Sequence, residues 1–100
     1  MKTAVTERMM DVGFVWDETK YQTVIKQHNV NFYEVVAAFD DPAGYEAPGL
    51  AEHEDRWLWI GRTPWDRLLM IVYTDQDLPL LRIITAFDAE GRWVDEYYGR

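Results

Sequence analysis

The sequence predicts an α+β domain: a short N-terminal strand, two helices, a three-stranded antiparallel meander and a short C-terminal helix. Three observations carry this. Two helical segments, each with its own start signal, occupy residues 18–39. Three apolar runs separated by short turns occupy residues 56–87. An acidic stretch with prolines and glycines, residues 40–55, divides the two halves. Helices segregated from a meander are the pattern of an α+β domain.

Residues 1–10 read as a flexible leader before a single domain over 11–100, since one hundred residues is one domain on length. Residues 11–16 are rich in Val, Phe and Trp and read as a strand. Asp17 is a good N-cap, and Trp16 and Tyr21 are spaced as a hydrophobic staple. Tyr21, Val24, Ile25 and His28 fall on one helical face, so the first helix is expected over Glu18–His28. Asn31 and Glu34 form a capping-box pair, and Val30 and Val35 a second staple. The second helix is therefore expected over Phe32–Phe39. Asp40-Asp41-Pro42 stops it, because proline disfavours helical geometry at the preceding residue. The short join at Asn29-Val30 places the helices side by side.

Residues 40–55 hold six carboxylates and no lysine or arginine, and read as a solvated loop. Arg56–Arg62 alternates, with Trp57 and Trp59 on one side and Leu58 and Ile60 on the other. Thr63-Pro64-Trp65-Asp66 is a turn. Leu68–Thr74 is continuously apolar, as in a strand covered on both faces. Asp75-Gln76-Asp77 is a turn, and residues 80–87 are a third strand. Residues 88–98 read as a last helix, weakened by Gly91 by about 1 kcal/mol relative to alanine.

Composition narrows the function. With 48% hydrophobic residues and five tryptophans, a packed core is available to this short chain. The absence of cysteine excludes disulfides and thiolate metal sites and fits a reducing cytoplasm. Residues 1–10 lack the apolar run of a signal peptide. No stretch approaches the roughly 18 apolar residues of a membrane span. The net charge is −8. A protein that grips phosphates normally shows a basic surface, so RNA binding requires a local basic site, and a basic partner is favoured.

Phe14-Val15-Trp16-Asp17, Lys26-Gln27-His28-Asn29-Val30, and the run from Val30 through Phe39-Asp40-Asp41-Pro42 resemble motifs of the BrnT family of toxins from bacterial toxin–antitoxin pairs. Ile60-Gly61-Arg62, Val72-Tyr73-Thr74 and Leu81-Arg82-Ile83-Ile84-Thr85-Ala86 follow in the family's order, and the resemblance covers roughly residues 12–98. Asn29 stands where the family usually has glycine, Tyr33 precedes the glutamate, and Gln27 separates the lysine from the histidine.

The resemblance implies a RelE-like ribonuclease that inhibits translation and needs neither metal nor cofactor. The ribose 2′-hydroxyl attacks the neighbouring phosphate, while a base, an acid and cations assist. On this pattern Arg62 and Arg82 are the catalytic cations, and Asp75 is the base or orients an arginine. Lys26, His28, Arg92 and Tyr97 would contact RNA. Each has a plainer reading. The arginines are solvent-facing or paired strand residues, Asp75 a turn aspartate, and His28 a helix-terminal residue. His53, in Glu52-His53-Glu54-Asp55, lacks the convergent shell of a metal ligand. Phe87, Trp93, Tyr97 and Tyr98 read as a core or interface cluster before a base-stacking platform.

The main departure is at Phe87-Asp88, where the family commonly has Arg-Lys. Two positive charges become a neutral ring and a negative charge. The resemblance implies an antitoxin partner encoded nearby. It leaves two functions in competition, a toxin-like ribonuclease and a weakened or inactive homologue that binds a basic antitoxin-like protein.

Overall fold

A single mixed sheet organises the chain. The structure is a computed structural model and describes residues 4–9, 12–49 and 55–99. Its six strands are β1 (Ala4–Met9), β2 (Val12–Asp17), β3 (Tyr45–Pro48), β4 (Arg56–Arg62), β5 (Leu68–Thr74) and β6 (Leu80–Asp88), in the order β1-β2-β6-β5-β4-β3. Among the described strands only the β2–β6 pair is parallel. The expected meander is β4-β5-β6, with Arg62 opposite Leu68 and Thr74 opposite Arg82.

Helices α1 (Glu18–His28) and α2 (Phe32–Phe39) have the bounds that their spacing predicts. The Glu34 amide donates to Asn31 Oδ1 at 3.0 Å, and the Asn31 amide donates back to Glu34 Oε1. The Trp16 and Tyr21 rings lie 5.1 Å apart. The Tyr21 hydroxyl also accepts from the Phe32 amide at 3.0 Å and so ties α1 to the start of α2. Between them Asn29 adopts φ +53°, the left-handed conformation that closes a helix. Glycine takes it most easily and asparagine next, so Asn29 meets the same backbone requirement as a glycine there.

Alternation divides the core. Phe14, Trp16, Leu69, Ile71 and Tyr73 face α1 and α2, together with Val30, Val35 and Ala38. Leu58, Ile60 and Met70 face the opposite way and are covered by Phe87, Trp93 and Tyr97. Trp93 and Tyr97 belong to α3 (Arg92–Gly99). Gly61 lies where α2 crosses β4: a Cβ there would sit 2.1 Å from the Ala38 carbonyl oxygen. The same carbonyl accepts from Trp59 Nε1 at 2.7 Å.

Three expectations are corrected. Residues 4–9, expected in a flexible leader, form β1 and pair with β2 over their whole length. The stretch expected as a loop contains β3, an edge strand ending in Pro48, a position where the missing amide is harmless. The last helix starts at Arg92 because residues 80–88 continue as β6, and Gly91 turns the chain with φ +60° ahead of it. His53 lies outside the described residues. No helix among the described residues is long and apolar enough to cross a membrane.

Candidate functional site

The seven candidate residues divide between the two ends of the sheet. Arg62 closes β4 opposite the first residue of β5, whereas Arg82 lies opposite the last. Six residues of strand separate these registers, about 20 Å. Arg62 and Arg82, both read as catalytic cations, therefore lie at opposite ends of the sheet. Asp75 follows Thr74 directly and belongs to the Arg82 end. Arg82 Nε donates to Asp77 at 2.7 Å, so its nearest carboxylate is Asp77 and not Asp75.

The other end carries the remaining candidates. Here α1 finishes near the last residues of β6, and the His28 ring lies 5.6 Å from that of Phe87. Gln27, His28, Phe87, Asp88, Glu90 and Trp93 line a cleft of about 520 Å³. The Arg92 guanidinium lies over the Trp93 ring, 4.3 Å from its centre, and supplies an exposed cation beside the cleft. Lys26 is in the same last turn of α1 but two positions from His28, so the two do not share a face.

Arg62 stands at the next strand but one. Its amide donates to Asp41 Oδ2 at 2.7 Å, and the Tyr97 hydroxyl donates to the same oxygen at 2.6 Å. Asp41, from the α2 stop signal, thus joins β4 to α3. Burial and then this hydrogen bond push the Tyr97 phenol up to about 12. The Arg62 guanidinium pairs with Asp66, which raises its pKa and keeps it charged. Both partners are exposed, with 44% and 79% of their side chains accessible. Such a pair is weak, and a phosphate can replace Asp66 at small cost.

Sequence reasoning missed Arg67. Its Nε and Nη2 donate to the two oxygens of Asp88 at 2.6 and 3.2 Å. Nη1 donates to Glu34 and to the Asn29 carbonyl, and Nη2 to the His28 carbonyl. These five contacts match the five N–H donors of a guanidinium, so Arg67 has none left for a ligand. The Asp88 contact is the main cause of its raised pKa. Arg67 instead locks the end of α1, the capping box of α2 and the end of β6 together. The available signal was Asp88 itself, a carboxylate at a basic position of the family pattern, which required a cation elsewhere.

The aromatics divide as well. Phe87, Trp93 and Tyr97 pack against the second core cluster, whereas Tyr98, expected with them, is 58% exposed. Tyr33 and Trp65 are 72% and 62% exposed and line a groove beside Asn31 and Glu34. Among the described residues, no group of three His, Cys, Asp or Glu is placed to hold a metal ion.

The comparisons identify the family and the fold. The family model "Ribonuclease toxin, BrnT, of type II toxin-antitoxin system" matches residues 16–92. The crystal structure of the ribonuclease toxin BrnT of Brucella abortus superposes with a TM-score of 0.60 at 23% identity, covering 76% of this chain and 94% of that one. No curated protein sequence matches. The family match spans most of the chain and runs from the β2–α1 junction to the start of α3. The chain therefore belongs to the BrnT family of ribonuclease toxins of type II toxin–antitoxin systems.

Proposed function

We propose that this chain is the toxin of such a pair and cleaves RNA without metal at the sheet end that carries His28, Arg62 and Arg92. One observation supports this most: an imidazole, two accessible guanidinium groups and exposed aromatic rings gather at one end of the sheet. Arg62 and Arg92 hold the phosphate, and arginine suits this because its planar fork matches phosphate oxygens. His28 moves a proton to or from the reacting oxygens. Tyr33 and Trp65 offer stacking surfaces to bases. Asp41 and Arg67 position the groups that react, and Lys26 and Tyr97 flank them. Asp75 and Arg82 are too distant to take part.

The test is incubation of the purified chain with a defined RNA in the presence of a metal chelator. Cleavage is expected. Intact RNA in the presence of folded protein contradicts the proposal.

A second reading rests on Phe87-Asp88. A neutral ring and a carboxylate stand where the family pattern has a basic pair, and Asp88 occupies two donors of Arg67. On this reading the chain binds a basic antitoxin and does not cut RNA. Uncut RNA together with a stable complex with the product of a neighbouring gene selects it.

A further inference from the structure

A second cavity, of about 370 Å³, opens on the α2 side of the sheet towards the Asp75 end. The cleavage proposal does not use it. Its walls are aromatic. Phe39 stacks on Trp59 at 5.6 Å, meets Phe14 at 5.1 Å and Tyr73 edge-on at 5.3 Å. Three carboxylates, Asp40, Glu46 and Asp75, line the same cavity, and no lysine or arginine does so among the described residues. The carboxylates come from three elements, the end of α2, β3 and the turn after β5, so folding brings them together around the rings.

The cavity, rather than the carboxylates alone, specifies the ligand. Its volume falls within the range of small-ligand sites, and its lining is mostly apolar with a few polar groups. Aromatic faces attract cations and repel anions. The apolar walls suit a methylene chain, and the carboxylates suit a charged head at its end. A purely apolar ligand would leave the carboxylates unused. The Tyr73 hydroxyl hydrogen-bonds Glu46, which fixes one of these acceptors. Burial holds that phenol protonated, so it adds no charge of its own.

We propose that this cavity receives one arginine or lysine side chain presented by a basic segment of a protein partner, with the methylenes against Phe39, Trp59 and Tyr73 and the cation among Asp40, Glu46 and Asp75. The net charge of −8 favours a basic partner over a free anion or a neutral metabolite. The assignment does not depend on RNA cleavage.

The test follows the Trp59 indole N–H by NMR in the full chain, its signal assigned with Trp59→Phe. Three probes are titrated: a short arginine-containing peptide, the same peptide with citrulline for arginine, and agmatine as a free alkylguanidinium. The arginine peptide is expected to shift the signal, and the citrulline peptide to leave it in place. Glu46→Gln and Asp75→Asn, both at exposed positions, are each expected to weaken the arginine peptide by about tenfold, the worth of one charge-assisted hydrogen bond. Equal shifts from the two peptides, or none from either at millimolar concentration, overturn the proposal. Tighter binding of agmatine than of the peptide overturns the protein source and assigns the cavity to a small cation.

Discussion

The two ends of the sheet use arginine in different ways. At the His28 end Arg67 is largely covered and spends every donor on backbone and carboxylate oxygens, while Arg62 and Arg92 stay accessible. At the Asp75 end Arg82 meets a single turn carboxylate, and the space nearby is an acid-rimmed aromatic cavity. A chain with a net charge of −8 can still keep two accessible guanidinium groups at one end, because exposure and pairing are set locally. The number of arginines says little about function. Which of them have donors to spare decides it.

The largest separation between the ends is expected in catalysis. Arg62→Ala should lower RNA cleavage by about 10²-fold, as removal of one transition-state donor does elsewhere. Asp75→Asn should leave cleavage unchanged. Single-turnover rates on one RNA substrate check both.

Stability should separate the ends next. Arg67→Ala removes the hub of five contacts and strands Asp88, Glu34 and two carbonyls, at a cost of about 2–4 kcal/mol. Arg82→Ala breaks one half-exposed ion pair and should cost under about 1 kcal/mol. Urea denaturation monitored by circular dichroism measures the difference.

The helices and the meander were legible because their signals are local. The Asn31–Glu34 box, the Trp16–Tyr21 staple and the unbroken apolar run of Leu68–Thr74 each specify their element without distant help. β3 was hidden because four residues alternating among carboxylates, with a proline at the end, look like loop until β4 supplies their partners. β1 was hidden for the same reason: its pairing with β2 is what makes it a strand. The site was legible by residue type and not by place. Arg62 and Arg82 both occur on strands of the family pattern, but their separation depends on strand direction and register, which no motif states. Arg67 carried no motif at all, since its five acceptors come from α1, the α1–α2 join, α2 and β6.

High pH should loosen both ends through different tyrosines. Tyr97 at the first end is raised to about 12 from an ordinary value of 10, and Tyr73 at the other is raised further by burial. A phenol with a raised pKa binds its proton more tightly in the folded state. Its contribution is therefore complete below pH 10 and is lost as pH rises through the folded value. Thermal stability should fall from pH 10 to 12, and ultraviolet titration should show two phenols ionising late. Ionisation of both at the ordinary value would break the comparison.

The smallest effect is expected at the α1–α2 join. Asn29→Gly should stabilise the chain by no more than about 1 kcal/mol, since asparagine already tolerates φ +53°. Asn29→Val should destabilise it by about 1–2 kcal/mol, because a branched side chain resists that conformation. Melting temperatures of the two variants resolve the sign.

The most direct measurement compares metal-free RNA cleavage by the wild-type chain, His28→Ala and Arg82→Ala under identical conditions. His28→Ala is expected to lose at least about 10²-fold, as for a proton-transfer group, and Arg82→Ala to keep wild-type rates. Full activity in His28→Ala with loss in Arg82→Ala would place the chemistry at the opposite end and contradict the account.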